Sequence, residues 1–195
     1  MLLARSNYRV STMVLSGAVV GALSCAANAA SAAETLAVQR GAYLVTISGC
    51  NDCHTPKVFS AGGTTLDTGR LLSGHPATEQ LPPAPGIAGS GNWGIVANQH
   101  LTAWAGPWGV SYAANLTPDA SGLANWTPET FMQAMRSGKH LGNGRPILPP
   151  MPWFNYATMS DDDLRAVFAY LKSLPPVRNA VPTPLPPAPR TAARR

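Results

Sequence analysis

Cys50-Asn51-Asp52-Cys53-His54 is the stretch from which the rest of the chain is best read. It is C-x-x-C-H, the attachment pattern for a c-type haem. Two thiols three residues apart can add to vinyl groups on neighbouring sides of a porphyrin, and the next residue brings its imidazole under the iron. His54 is the candidate proximal ligand, with its second ring nitrogen available to a backbone carbonyl. Other readings of the cysteines explain less. Half a zinc site would need partners, but the remaining cysteine is Cys25, far upstream, and none of His75, His100 and His140 sits in an H-x3-5-H pair. A thioredoxin-like pair would need a βαβ pattern, which the sequence lacks. A plain disulfide would leave His54 unexplained.

A sixth ligand decides what such a haem does. The candidate is Met151, in Leu148-Pro149-Pro150-Met151-Pro152-Trp153. Three prolines restrict the backbone around the thioether, so the sulfur is held near one position at small entropic cost. A soft thioether suits ferrous iron and raises the potential relative to two histidines. His75 and His100 are rival ligands, each on a loop long enough to reach. Met132 and Met135 read as core, and Met159 as packing near the last helix. Arg145 is a candidate partner for a haem propionate and Asn115 a candidate hydrogen-bond donor; each reads equally well as a solvated loop residue. Trp93, Trp104, Trp108, Trp126 and Trp153 are candidates to line or cover the crevice.

The flanks support the same reading. Arg5 and Arg9 precede a small-residue and apolar run, Val10 to Ala30, and then small-residue cleavage options up to Ala33. That order is a secretory signal peptide over 1–33, and c haem is attached outside the cytoplasm. A lipidated Cys25 or an uncleaved anchor are the alternatives, and in either case the chain would touch a membrane. Of the 14 Lys and Arg, two lie in this leader and Arg178, Arg190, Arg194 and Arg195 lie in the tail, which leaves eight against all nine acids. The domain between is close to neutral, which argues against a nucleic-acid surface. From Pro175 the sequence runs PPVRNAVPTPLPPAPRTAARR, and 177–195 reads as a Pro-rich, basic, disordered tail.

Within 34–176 three helices are predicted. Glu34 to Ser48 places Leu36, Tyr43, Leu44 and Ile47 on one face. Thr127 to Ser137 has Thr127 as N-cap, Pro128 at the first helical position and Gly138 as stop. Ser160 to Leu174 opens on Ser160 and three aspartates, where carboxylates suit the helix dipole. Between the first two lies a Gly/Pro/Trp-rich stretch, Thr55 to Trp126. There Trp108, Val110 and Tyr112 alternate as in a strand, and Ala105-Gly106-Pro107 is a turn able to pair it with Ile95 to Trp104. So long an irregular segment is unusual in a compact domain, unless loops wrap an apolar disc. The expected fold is all-α, with an insertion holding a small β-hairpin.

At this point the chain resembles the class I c-type cytochromes, and among them the monohaem modules associated with periplasmic and membrane-bound dehydrogenases. The resemblance rests on Arg40-Gly41-Ala42-Tyr43-Leu44 leading into the C-x-x-C-H-T-P run, then on Asn115-Leu116-Thr117-Pro118-Asp119, Met135-Arg136-Ser137-Gly138, Pro150-Met151-Pro152-Trp153 and Ala169-Tyr170-Leu171. It covers about Leu36 to Pro176. It implies one covalent haem c, His54 and Met151 as axial ligands, and first and last helices crossing closely at Gly41, near Phe168 and Tyr170. The function implied is a periplasmic electron carrier and not an enzyme, with redox-protein donor and acceptor, a dehydrogenase and a terminal oxidase among them. Alternatives are the electron-accepting subunit of a dehydrogenase, or a haem-based ligand sensor or peroxidase-like protein. The chain departs from dehydrogenase cytochrome subunits in having one C-x-x-C-H where several are common, and in its longer insertion.

Overall fold

Two of the predicted helices form where their local signals place them. In the computed structural model, which describes residues 16–84 and 94–187, with side chains from residue 31 onward, the helices are α1 (Ser16–Ile47), α2 (Cys50–His54), α3 (Pro128–Ser137), α4 (Trp153–Tyr156) and α5 (Asp161–Ser173). Thr127 caps α3 through a reciprocal box with Thr130, and Gly138 ends it in the left-handed region at φ 65°. Ser160 caps α5 by accepting from the Asp163 amide. The aspartates that follow do more than suit the dipole: Asp161 pairs with Arg136 at 2.6 Å and Asp163 with Arg40 at 2.9 Å. These guanidinium hydrogen bonds hold both carboxyls below the usual carboxylate range. They are exposed pairs, worth little individually; what they add is alignment of α5 on α3 and α1.

The chain divides into two compact units, 1–36 and 37–195. In the first, the described chain is helical from Ser16, well upstream of the predicted Glu34, and residues 1–15 of the expected leader lie outside those described. From Leu36 onward the buried face of α1 differs from the predicted one. Leu36, Tyr43 and Ile47 are 65%, 56% and 60% exposed, whereas Leu44 and Val45 are 4% and 1%. The reason is the crossing with α5. It passes so close that a Cβ on Gly41 would run into the Ala166 carbonyl and sit 2.7 Å from Tyr170 Cβ. The buried face is thus centred on Gly41 and its neighbours one turn on. Gly41→Val forces the two helices apart, and overpacking of this kind costs about 1–3 kcal/mol; a thermal unfolding midpoint lowered by several degrees checks it.

The core joins Leu44 and Val45 to Phe131, Ala134 and Met135 of α3 and to Leu164, Val167, Phe168 and Leu171 of α5. Phe131 and Phe168 meet at 5.3 Å between ring centroids. Met132 and Met159 pack against this cluster, half-buried.

The all-α expectation holds broadly, but the region between α2 and α3 carries more strand than the one small hairpin expected. It holds two small antiparallel sheets: β1 (Lys57–Ser60) with β2 (Gly63–Leu66), and β3 (Val96–Ala97), β4 (Ala103–Gly106) and β5 (Gly109–Tyr112) in that order. The β4–β5 hairpin turns through Pro107 and Trp108, one step later than predicted, because Gly106 and Gly109 form the closing pair. In this register buried Ala103 and Ala105 share one face with half-buried Tyr112 and Val110, and buried Ser111 shares the other with half-buried Trp104. The tail also departs from expectation. Residues 177–187 dock against the domain: the Val177 amide donates to Thr117 Oγ1, and Leu185 and Val110 exchange backbone hydrogen bonds; 188–195 lie outside the described residues.

Candidate functional site

Gly49, at φ 68°, reverses the chain after α1 so that α2 starts at once with Cys50. Five residues make barely more than one turn, and neighbouring side chains hold it. Thr55 donates from Oγ1 to Asn51 Oδ1 at 2.7 Å and accepts from the Leu72 amide at 2.8 Å. Lys57 Nζ reaches the Asp52 and Thr55 carbonyls, a cation on the terminal carbonyls of a short helix. Cys50, Cys53 and His54 thereby face one cleft of about 540 Å3, within the range of small-molecule and cofactor sites, about 300–1,000 Å3.

His54 is buried, and its Nδ1 lies 2.8 Å from the Ala114 carbonyl. A carbonyl can only accept, so Nδ1 carries the proton and Nε2 keeps its lone pair. Burial pushes the imidazole pKa down, with the Ala114 carbonyl opposing. The ring is therefore neutral at neutral pH and able to ligate a metal. Cys50 and Cys53 are free thiols. Burial pushes Cys50 up to about 11 and Cys53 upward too. Such thiols stay protonated, unlike the activated pair of a disulfide oxidoreductase.

Met151 lines the same cleft. Its loop is tied at several points. Ile147 N donates to the Gly138 carbonyl, Ser111 Oγ donates to the Pro149 carbonyl at 2.5 Å, and Trp153 lies flat against Gly138. Following the loop, Tyr156 donates its hydroxyl to the Ser48 carbonyl at 2.8 Å, and burial pushes that phenol up to about 12. β5 and the residues just after it therefore serve both walls: Ser111 anchors the Met151 loop and Ala114 fixes His54.

The rival ligands are elsewhere. His75 is 1% exposed, with Nδ1 3.0 Å from Thr102 Oγ1 and its ring 4.9 Å from that of Tyr112. His100 Nδ1 accepts from the Lys57 amide at 3.0 Å. Neither lines the cleft. Asn115 is spent internally: its amide donates to the Val177 carbonyl and its Oδ1 accepts from Thr117. Arg145 is exposed at the cleft. Trp104 and Trp126 line the cleft, Trp108 donates to Ser111 and Trp153 packs on Gly138 without lining it, and Trp93 lies outside the described residues. His140, passed over as a site residue in the sequence, also lines it, edge-on to Trp126 at 5.1 Å. No local motif marks it.

His75 Nε2 is buried without a hydrogen-bond partner. Burial lowers the ring's pKa, Glu79 at 3.6 Å opposes this, and His100 adds to it. With the folded pKa below the unfolded one, the unfolded chain binds the extra proton. Stability therefore falls as pH drops below about 6.5 and levels off below the folded pKa. Urea midpoints at pH 7.5 and 5 are expected to differ less in His75→Gln than in the parent.

The cytochrome c family model matches residues 38–175. The chain belongs to the cytochrome c family. As a cytochrome c domain it binds haem c, and Cys50, Cys53 and His54 fit the family's C-x-x-C-H attachment motif. The residues present suit that group: an apolar cleft, two reduced thiols on one wall beside a neutral imidazole with a free nitrogen, and a thioether on its lining. The cytochrome is similar to the gluconate 2-dehydrogenase cytochrome c subunit of Pantoea cypripedii, 30% identical over 174 residues, which cover 86% of this chain and 31% of that protein. It is also similar to the cytochrome c subunit of alcohol dehydrogenase (quinone) of Gluconobacter oxydans (strain 621H), 31% identical over 146 residues, covering 74% and 23%. The fructose dehydrogenase cytochrome subunit of Gluconobacter japonicus is 26% identical over 138 residues, covering 69% and 20%. The chain thus spans a third or less of the length of these curated relatives.

Proposed function

We propose that this cytochrome carries single electrons through one haem c, bound covalently by Cys50 and Cys53 and ligated by His54 and Met151. The observation that carries this reading is the shared cleft, in which the two thiols, the fixed imidazole and the thioether all take part. Haem c, when bound, supplies a one-electron couple at iron. The chain's residues set its terms. Ala114 orients His54 and burial keeps the ring neutral; a thioether from Met151 favours the reduced metal and so a higher potential. Leu44, Phe131, Val167 and Leu171 exclude water, and the tethers of the Met151 loop hold both sides nearly still as charge changes. Reductive titration is expected to end at one electron per chain and to reverse on reoxidation; a larger uptake would contradict a single haem.

The electron donor in this reading is a dehydrogenase outside the cytoplasm, and the acceptor a further redox protein such as a terminal oxidase. Its support is that the relatives carry the names of dehydrogenase cytochrome subunits. No described helix is long and apolar enough to cross a membrane, and residues 1–33 are proposed as the export signal. A second reading, a resident subunit of such a complex, rests on the same relatives. Dehydrogenase activity that stays with the cytochrome through gel filtration would favour it; a free monomer reduced by collision would favour the carrier.

A further inference from the structure

Residues 177–187 fall outside the span that the family model matches, 38–175. Even so, Ala180–Pro184 form part of the cleft lining. The segment is pinned on both sides of that stretch. On one side Asn179 is a three-bond clamp: Nδ2 donates to the Ser73 and His75 carbonyls at 2.7 and 2.8 Å, and Oδ1 accepts from the Ala77 amide at 2.8 Å. Its own amide donates to Ser121 Oγ at 2.9 Å, and Asn115 holds the Val177 carbonyl at 2.8 Å. On the other side Leu185 exchanges both backbone hydrogen bonds with Val110, each 2.9 Å. Gly109 makes room for it, because a Cβ there would strike the Leu185 carbonyl.

The stretch between the pins has suitable chemistry for an apolar neighbour. Val181, Pro182 and Pro184 are half-buried. Proline has no N–H, so an extended strand without a β partner can face an apolar surface here with few unsatisfied donors. Its fixed φ also keeps the ordering cost low.

We propose that residues 179–185 are a strap that contacts the cofactor, with Val181, Pro182 and Pro184 covering one side of the haem and keeping water from it. The proposal rests on the haem reading of the cleft. Water stabilises the more highly charged oxidised form, so uncovering the haem lowers its potential and opens it to small reductants. Two variants test this in the haem-loaded protein: Asn179→Ala, and a chain ended at Arg178. Each is read by redox titration and by the rate of reduction by ascorbate.

Both variants are expected to show a lower potential, and ascorbate reduction roughly tenfold faster in Asn179→Ala, as a strap loses a few hydrogen bonds and opens more often. The low-spin spectrum with its methionine–iron band is expected to persist, which separates uncovering from loss of the fold. Should the shortened chain fail to hold haem, Asn179→Ala alone decides. Parental potential and rate in an Asn179→Ala protein with its haem attached would overturn the strap while leaving the haem site intact. A full-length chain matured without haem would remove the reading beneath the proposal, and the proposal with it.

Discussion

His54→Ala is expected to leave the mature chain without a low-spin haem. In the proposed site the imidazole ligates the iron through Nε2 while its Nδ1 is committed to the Ala114 carbonyl, and the substitution removes both. His75 and His100 hold their own partners away from the cleft, and His140 lines another part of it. Cys50→Ser and Cys53→Ser each remove one of two thioether bonds, and the expected result is a chain that keeps a fraction of its haem or loses it under denaturing conditions. Haem stain on a denaturing gel separates these outcomes: strong in the parent, weak in each serine variant, absent in His54→Ala. A His54→Ala chain with parental stain and a low-spin spectrum would remove His54 from the ligand set.

Met151→Ala is expected to keep the covalent haem and open its sixth position. The loop that bears the thioether is held by Ser111, Gly138 and Trp153, so in the proposed site the parent's sixth position is expected to be filled nearly all the time. An added ligand must displace the sulfur, and its apparent affinity is reduced by the fraction of time the position is free. If that fraction is about one per cent, truncation tightens imidazole binding about a hundredfold, or nearly 3 kcal/mol. The potential is expected to fall, since the ferrous iron loses its soft ligand. Imidazole titration followed in the visible spectrum checks the first effect, and redox titration the second. Equal imidazole affinity in parent and variant would point to a naturally open sixth site, as a ligand sensor or peroxidase-like protein would have.

Much of this was readable in one dimension because its causes are local. The C-x-x-C-H spacing is set by covalent chemistry, and the caps of α3 and α5 by groups within three residues. The closeness of α1 and α5 at Gly41 came through the resemblance, and a glycine inside an otherwise good helix was its trace. Non-local facts were less visible. The β1–β2 hairpin is exposed along nearly its whole length, so it has no alternating apolar face to betray it. His75 and His100 sit on loops long enough to reach iron, but loop length says nothing of which partner the folded chain gives them. The tail's prolines forbid regular structure without forbidding docking. Its anchor, Asn179, meets Ser73 and His75 about a hundred residues upstream, a pairing without a sequence signature.

The most direct measurement is the visible spectrum of the protein produced with haem-attachment machinery, oxidised and reduced, with and without imidazole. A low-spin c-type spectrum, a methionine–iron charge-transfer band when oxidised, and indifference to moderate imidazole are expected of one haem held by Cys50, Cys53, His54 and Met151. A high-spin spectrum, or one that shifts at once with added ligand, would contradict Met151 as the sixth ligand and the carrier function with it, and a chain that matures without haem where the attachment machinery works would contradict the site itself.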